Sequence, residues 1–326
     1  MTSRRRGGGL SNASSSRSTR LRTQHSTTYS ARSNMTGMWR ELAADDLLAM
    51  TAAYRQADPI GTNQIASVAV SHGAWLSGEN RFWTAVDGGK VSGVAMYNAV
   101  RGVWIDPSVV SAHANDLGHE LASSVDRVIP LAMGSHTAVQ AFIDGYTRAR
   151  PNNVKATWKK DVLLYVLEKP IDLDANRFRG DFRLANADKE QELLVGWLHA
   201  FEAYVNARPC DAPSFIEKGM KREALFLWEV DGVPVGFATY SPPVAIGNET
   251  IFRLGPIFVV EGERRKGYGS ALTAALSRHL QQTCSTPSRV CLYTDANNPA
   301  SNKAYLNAGF VLHSTACRYR FTVREP

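Results

Sequence analysis

The chain of 326 residues exceeds one typical domain, and with 44% hydrophobic and 21% charged residues it has the make-up of a soluble globular protein. No run approaches the roughly 18 consecutive apolar residues that a membrane helix needs, which excludes such a span. The net charge of +7 sits in the first forty residues: Arg4, Arg5, Arg6, Arg17, Arg20, Arg22, Arg32 and Arg40 face no acid there, and removing these eight leaves −1. A body so nearly neutral lacks the cationic excess that draws nucleic acid.

Residues 1–40 are rich in Ser, Thr, Arg and Gly and poor in large apolar side chains, so they are expected to form a disordered tail. The same composition fits an organellar transit peptide. Cys210, Cys284, Cys291 and Cys317 show no CxxC spacing and no secretory leader precedes them, which points to a reduced compartment. The expected location is the cytoplasm, with the mitochondrial matrix as the alternative if the tail is a presequence.

Beyond the tail, "ELAADDLLAMTAAYRQ" has apolar residues at helical spacing, and "TNQIASVAVSHGAWL" continues as a second helix. "RFWTAVDGGKVSGVAMYNAV" follows: two β-rich runs joined by Asp-Gly-Gly, a hairpin signal. The strand "GVWIDP", the helix "SVVSAHANDLGHELASSV", the strand "RVIPLAMG", the helix "TAVQAFIDGYTRA" and the strand "VLLYVLE" complete the first half. A polar stretch, "EKPIDLDANRFRGD", marks a boundary around 169–180.

The second half repeats this order. The helix "ADKEQELLVGWLHAFEAYV" precedes the hairpin "ALFLWEVDGVPVGFATYSPPV", in which Val230-Asp231-Gly232 matches Val86-Asp87-Gly88 and Gly236 matches Gly93. Then come the strand "TIFRLGPIFVV", a basic Gly-rich loop, the helix "GSALTAALSRHLQQ", the strand "RVCLYTD", the helix "ASNKAYLNAG" and the strand "FVLHSTACRYRF". Internal similarity of this kind reads as two copies of one α/β domain, at 41–170 and 180–326.

The loop "EGERRKGYGSAL" carries the chemistry. A Walker A loop needs a lysine where Tyr268 stands, and a dinucleotide fingerprint needs a third glycine where Leu272 stands. The pattern it meets in full is Arg/Gln-x-x-Gly-x-Gly/Ala, from Arg264 to Gly269. With a strand before it and a helix starting inside it, such a loop aims free N–H groups at an anion, and it suits a pyrophosphate without a metal. A lone Gly-rich turn can equally be structural.

A second signature follows, "NNPASNKAYLNAGF", with Asn298 seven residues before Tyr305 and Gly309-Phe310 closing it. With these two motifs, residues 180–322 resemble the GCN5-related N-acetyltransferase (GNAT) superfamily. The whole is similar to tandem GNAT proteins whose N-terminal copy lacks the loop. The resemblance implies tandem GNAT folds, with mixed sheets flanked by helices, and acetyl-CoA as acyl donor.

Carried over one residue at a time, Ile257, Phe258 and Val259 would pair with the pantetheine arm, and one of their N–H groups would polarise the thioester carbonyl. Backbone N–H groups from Arg265 through Lys266, Gly267, Tyr268 and Gly269 to Ser270 would bind the pyrophosphate, with Arg264, Arg265 and Lys266 adding charge. Asn298 would hydrogen-bond the pantetheine, with Asn302 one turn on as a second candidate. Tyr305 would protonate the leaving thiolate; its alternative is a packed aromatic on an amphipathic helix.

The general base stays unassigned. Many relatives carry a Glu where this chain has Tyr293, and Glu229 and Asp295 are the remaining carboxylates in view. The first half has neither motif and reads as a degenerate copy. His113 and His119 have no partners at metal spacing and HExxH is absent, so no metal is expected; Gly134-Ser135-His136 lacks the hydrolase frame. The function expected is transfer of acetyl to a primary amine of a small molecule or peptide by direct attack. A non-catalytic CoA-binding module and a longer-chain N-acyltransferase are the alternatives.

Overall fold

The computed structural model describes residues 38–323, apart from 73–75, 77, 151–153, 170–177 and 208. The expected tail therefore lies outside the described residues as far as position 37, as does most of the boundary segment. At its end the expectation is corrected: Trp39 and Arg40 belong to a strand, β1 (Trp39–Leu42), that pairs with the first hairpin. Trp39 is buried, and its indole N–H donates to the His113 carbonyl at 2.7 Å. One large aromatic with a core to enter outweighs the polar composition around it.

The first half continues through helices α1 (Ala44–Met50), α2 (Ala52–Ala57) and α3 (Asn63–Val70). The single helix expected from Glu41 is thus split at Thr51, which is fully buried with its hydroxyl on the Leu47 carbonyl. Then follow β2 (Asn80–Asp87), β3 (Lys90–Asn98), β4 (Gly102–Ile105), α4 (Ser111–Ser124), β5 (Leu131–Gly134), α5 (His136–Ala149) and β6 (Val154–Leu167).

The second half opens with β7 (Asp181–Leu184), α6 (Ala187–Tyr204) and α7 (Ala212–Lys221), of which β7 and α7 are not among the expected elements. Asn186 and Asp211 cap these two helices by accepting from Asp188 and Ser214 N–H groups. Then come β8 (Leu225–Val230), β9 (Val233–Tyr240), a short β10 (Val244–Ile246), β11 (Glu249–Val259), α8 (Tyr268–Thr283), β12 (Ser288–Asp295), α9 (Pro299–Asn307) and β13 (Phe310–Val323).

The two hairpins correspond more closely than the sequence match suggests, and in a different register. Their turns are Gly88-Gly89 and Asp231-Gly232, all four residues at positive φ as a two-residue turn of this hand requires. Each hairpin also carries its bulge at the same place, after Ala85 in one and after Trp228 in the other. Asp87 therefore stands opposite Lys90 as the last strand residue and matches Val230, one place away from the alignment on Asp-Gly.

All thirteen strands of the described residues form one sheet, in the order β1-β2-β3-β4-β5-β13-β6-β12-β11-β9-β8-β7, with β10 off this path and paired with β11. Each half has given its last strand to the other. The C-terminal β13 pairs with β5 of the first half, β6 of the first half pairs with β12 of the second, and β6 and β13 pair with each other from Phe310↔Leu167 to Val323↔Val154. The cores record the exchange. Phe321 of β13 packs edge-on against Phe142 and Tyr146 in the first half, while Tyr165 and Leu167 of β6 are buried with Tyr268, Leu272 and Phe310 in the second.

Without its partner, residues 34–169 would leave β5 and β6 without β13, and residues 178–326 would leave β12 and β13 without β6, exposing unpaired strand edges in both. Expressed alone, each fragment is expected to be insoluble or to lack a cooperative melting transition; co-expressed, the two should purify as one complex. Two fragments that melt cooperatively on their own would contradict the exchange.

Candidate active site

The site begins where two neighbouring strands part. Parallel β11 and β12 pair from Thr250↔Ser288 to Leu254↔Leu292 and no further. Beyond that point β11 bulges over Gly255-Pro256 and resumes pairing with β9 alone, at Ile257↔Ala238, Phe258↔Phe237 and Val259↔Gly236. The remaining residues of β12, Tyr293 to Asp295, pair with β6 alone. A wedge thus opens between β11 and β12.

The Val260 N–H bonds the Val235 carbonyl, so by alternation Phe258 directs its backbone groups to β9 as well. Ile257 and Val259 turn theirs into the wedge. The Val259 carbonyl is taken by Arg264 Nε at 3.0 Å, which leaves the Ile257 and Val259 N–H groups as the donors of that edge.

The basic loop joins the end of β11 to α8. A short 3-10 turn (Glu261–Glu263) leads to Arg265 at φ 66° and Gly267 at φ 89°, two left-handed residues around Lys266. Such alternation turns successive N–H groups to one side and makes a concave anion seat. No side chain caps α8, and the first intrahelical bond runs from Ala271 N–H to Gly267, so the N–H groups of Tyr268, Gly269 and Ser270 point out of the helix start. A Cβ at Gly269 would meet nothing within 4 Å, so these groups face open space; at Gly267 it would strike Phe178 at 2.5 Å. The loop therefore fits a pyrophosphate held by backbone.

The loop's cationic side chains divide. Arg264 is spent on the fold, lying 4.4 Å over the Tyr204 ring while it holds Val259. Lys266 is paired with Glu263 at 2.9 Å, and Arg265 is exposed. Tyr268 is buried and stacks on Trp228, so only its backbone faces the seat.

At the far side of the wedge, β12 turns into α9. Asn298 is the helix cap, its Oδ1 accepting from Ser301 N–H at 3.1 Å. Asn302 donates to the Asp295 and Ala296 carbonyls, and its buried Oδ1 meets no donor among the described residues. Of the two asparagines, Asn302 is the one with an acceptor left for a ligand N–H.

Tyr305 is half-buried between Tyr165 and Phe310, with ring centroids at 6.5 and 6.4 Å. Burial pushes its phenol up to about 12, a shift that a hydrogen bond with Ser301 partly offsets. It keeps its proton at every physiological pH. Tyr165 comes from β6, so the first half braces this side chain.

The candidate bases do not converge on the wedge. Glu229 is bound by Arg183 at 2.5 Å, together with Glu190, at the β7 edge. Asp295 pairs with Lys160 at 2.8 Å; burial alone would raise it, but the Lys160 bond and the Asn297 N–H outweigh burial and hold it below the usual carboxylate range. Burial raises the Tyr293 phenol strongly. Among the described residues, no cluster of three or more His, Cys, Asp or Glu could hold a metal.

The comparisons agree with this geometry. Residues 178–310 match the model of the acetyltransferase (GNAT) family. This segment is a GNAT domain. Its family acts by acyl-CoA-dependent N-acyl transfer. A Drosophila protein superposes with a TM-score of 0.59 at 11% identity, over 89% of this chain and 99% of that one. A GNAT acetyltransferase from Sphaerobacter thermophilus gives 0.54 at 13%, over 89% and 97%. A tandem GNAT protein from the clavulanic acid biosynthesis pathway gives 0.52 at 13%, over 88% and 98%. At such identities the likeness is one of fold, and it spans nearly the whole described chain. A search of the curated proteins found no match.

A carboxylate introduced at the mouth of the GNAT loop should exclude an anion without disturbing the core. Gly269→Glu is expected to melt within a few degrees of the parent and to lose at least about 30-fold, or 2 kcal/mol, of CoA affinity by isothermal titration. Equal affinities would remove the pyrophosphate from this loop.

Proposed function

We propose that the chain is an acetyl-CoA-dependent N-acetyltransferase, with 180–326 as the catalytic copy and 41–170 as a degenerate copy that completes its sheet. The observation that carries this reading is the wedge between β11 and β12, with unpaired N–H groups on one edge and the uncapped start of α8 directly after it. A thioester supplies the acyl group when bound. The backbone from Arg265 to Ser270 would hold its pyrophosphate, and Asn302, with the Asn298 amide nitrogen beside it, its pantetheine. The N–H of Ile257 or Val259 would stand as the oxyanion donor, preorganised because the β9 pairing fixes that edge.

Tyr305 would hold the proton that the leaving sulfur needs as the C–N bond forms and the C–S bond breaks. Its phenol proton is available throughout the range in which amines are acetylated, because burial has pushed the group above its ordinary value. The amine must shed its own proton, but Glu229 and Asp295 are ion-paired and Tyr293 is a buried phenol. The amine therefore arrives neutral or releases its proton to water in the wedge. Cys291 is fully buried within β12, which favours direct attack over an acyl-cysteine there.

The test is Tyr305→Phe, assayed by thiol release from acetyl-CoA with an amine panel. It should lower kcat by about 10²-fold or more and leave the Kd for acetyl-CoA within two-fold. Unchanged kcat would return Tyr305 to the role of packed aromatic. A chain that binds acetyl-CoA but acetylates no amine would favour the non-catalytic module.

A further inference from the structure

The face of the sheet opposite α8 carries a polar interior that the acetyl transfer does not use. Its centre is Arg253, the one cation inside the apolar run of β11. Arg253 is 9% exposed; one Nη donates to Ser67 Oγ of α3 at 2.8 Å, and its Nε has no partner. Burial lowers its pKa, and no acid among the described residues pairs with it.

Its neighbours share the deficit. Ser241, just past the end of β9, lies directly opposite Arg253 with its N–H on the Arg253 carbonyl, and Thr239 of β9 stands next along, against Gly255. Both side chains are fully buried with hydroxyls that meet nothing. Asn63, one helical turn before Ser67 on α3, is buried with both amide atoms unpartnered. A buried polar group left without a partner destabilises the fold, and an uncompensated buried cation does so more. So many in one layer are retained only if something else satisfies them.

Three acids close to this layer are already committed. Asp295 is paired with Lys160, Asp58 with His313 at 3.1 Å, and Asp106 accepts from the Tyr54 hydroxyl at 2.9 Å. Besides Arg253 the layer holds Arg318, on β13 and in register with Lys160, with its Nε resting on the Met133 sulfur. Tyr293 lies between them, and it and Arg318 retain some exposure. Arg253 is beside Cys291 in register, one residue short of the point where β11 and β12 part.

Resting on the acetyltransferase reading, we propose that this face is the acceptor pocket, with Arg253 and the hydroxyls of Ser67, Thr239 and Ser241 receiving a carboxylate. The acceptor is then an amine that also bears a carboxylic acid. Its amine would point to the wedge and its acid would meet Arg253, and the first half contributes α3 and Arg253's direct partner, Ser67, to substrate recognition.

The experiment uses the full chain with acetyl-CoA. Free L-amino acids and their matched carboxamides are offered in parallel, and thiol release is followed. The acids accepted should exceed their carboxamides in kcat/KM by at least about ten-fold. Arg253→Gln should remove that preference, acting through KM, while the Kd for acetyl-CoA stays within two-fold. Carboxamides that serve as well as acids, or an Arg253→Gln change that affects both alike, would overturn the proposal. If neither series reacts, crystals soaked in bromide decide it: an anomalous peak on the Arg253 guanidinium supports the anion seat, and none overturns it. Failure of the parent chain to bind acetyl-CoA would show separately, as failure of the acetyltransferase reading.

Discussion

The pairing of β6 with β13 is the constraint on which the rest depends. These two strands end the two halves of the chain, and each lies between the other and a strand of the opposite half. The exchange leaves no internal edge on the sheet and commits an aromatic of each half to the core of the other. The first half is therefore no appendage, although it has neither ligand motif. It supplies β6 as the partner of the final residues of β12, Tyr165 as the brace of Tyr305, and Lys160 as the counter-ion of Asp295.

The wedge follows from the same arrangement. Tyr293 to Asp295 of β12 are held by β6, and Ile257 to Val259 of β11 are held by β9, so the two strands diverge while each keeps one partner. Backbone donors left over in this way normally cost stability. Here they stand beside an uncapped helix start and a loop with two left-handed residues, and all of them would be satisfied by one extended ligand bearing an amide chain and a pyrophosphate. The wedge and the polar layer around Arg253 lie on adjoining stretches of β11, which under the proposed reading would bring donor and acceptor recognition onto one strand.

Much of this was legible in the sequence. Hydrophobic periodicity located most helices and strands, and the spacing of Gly267, Gly269, Asn298, Tyr305 and Gly309-Phe310, with the strands and helices between them, pointed to the family. What escaped was of two kinds. Short elements such as β1 and β7 exist because a partner strand holds them, and nothing local to "WREL" or "DFRL" announces it. Partnership across long separations escaped too: that Lys160 meets Asp295, or Ser67 meets Arg253, depends on the strand exchange and on how α3 is seated. The roles of side chains shifted for the same reason. Arg264 and Lys266 looked like ligands for phosphate but are tied to Val259 and Glu263, and Asn298 is occupied as a cap, which moves attention to Asn302. Arg253 stood in plain view as a lone cation in an apolar strand, a signal that could have been used.

The account's central claim is that the donor enters the wedge and is received by the free edge of β11. Amide hydrogen exchange of the full chain, with and without saturating acetyl-CoA, tests it most directly. Without ligand, the Ile257 and Val259 amides should exchange much faster than that of Phe258, which is bonded to β9. With acetyl-CoA, one or both should become protected, together with Gly269 and Ser270, while Phe258 changes little. If acetyl-CoA binds and the amides of Ile257 and Val259 exchange as before, the donor lies elsewhere and the wedge is not the active site.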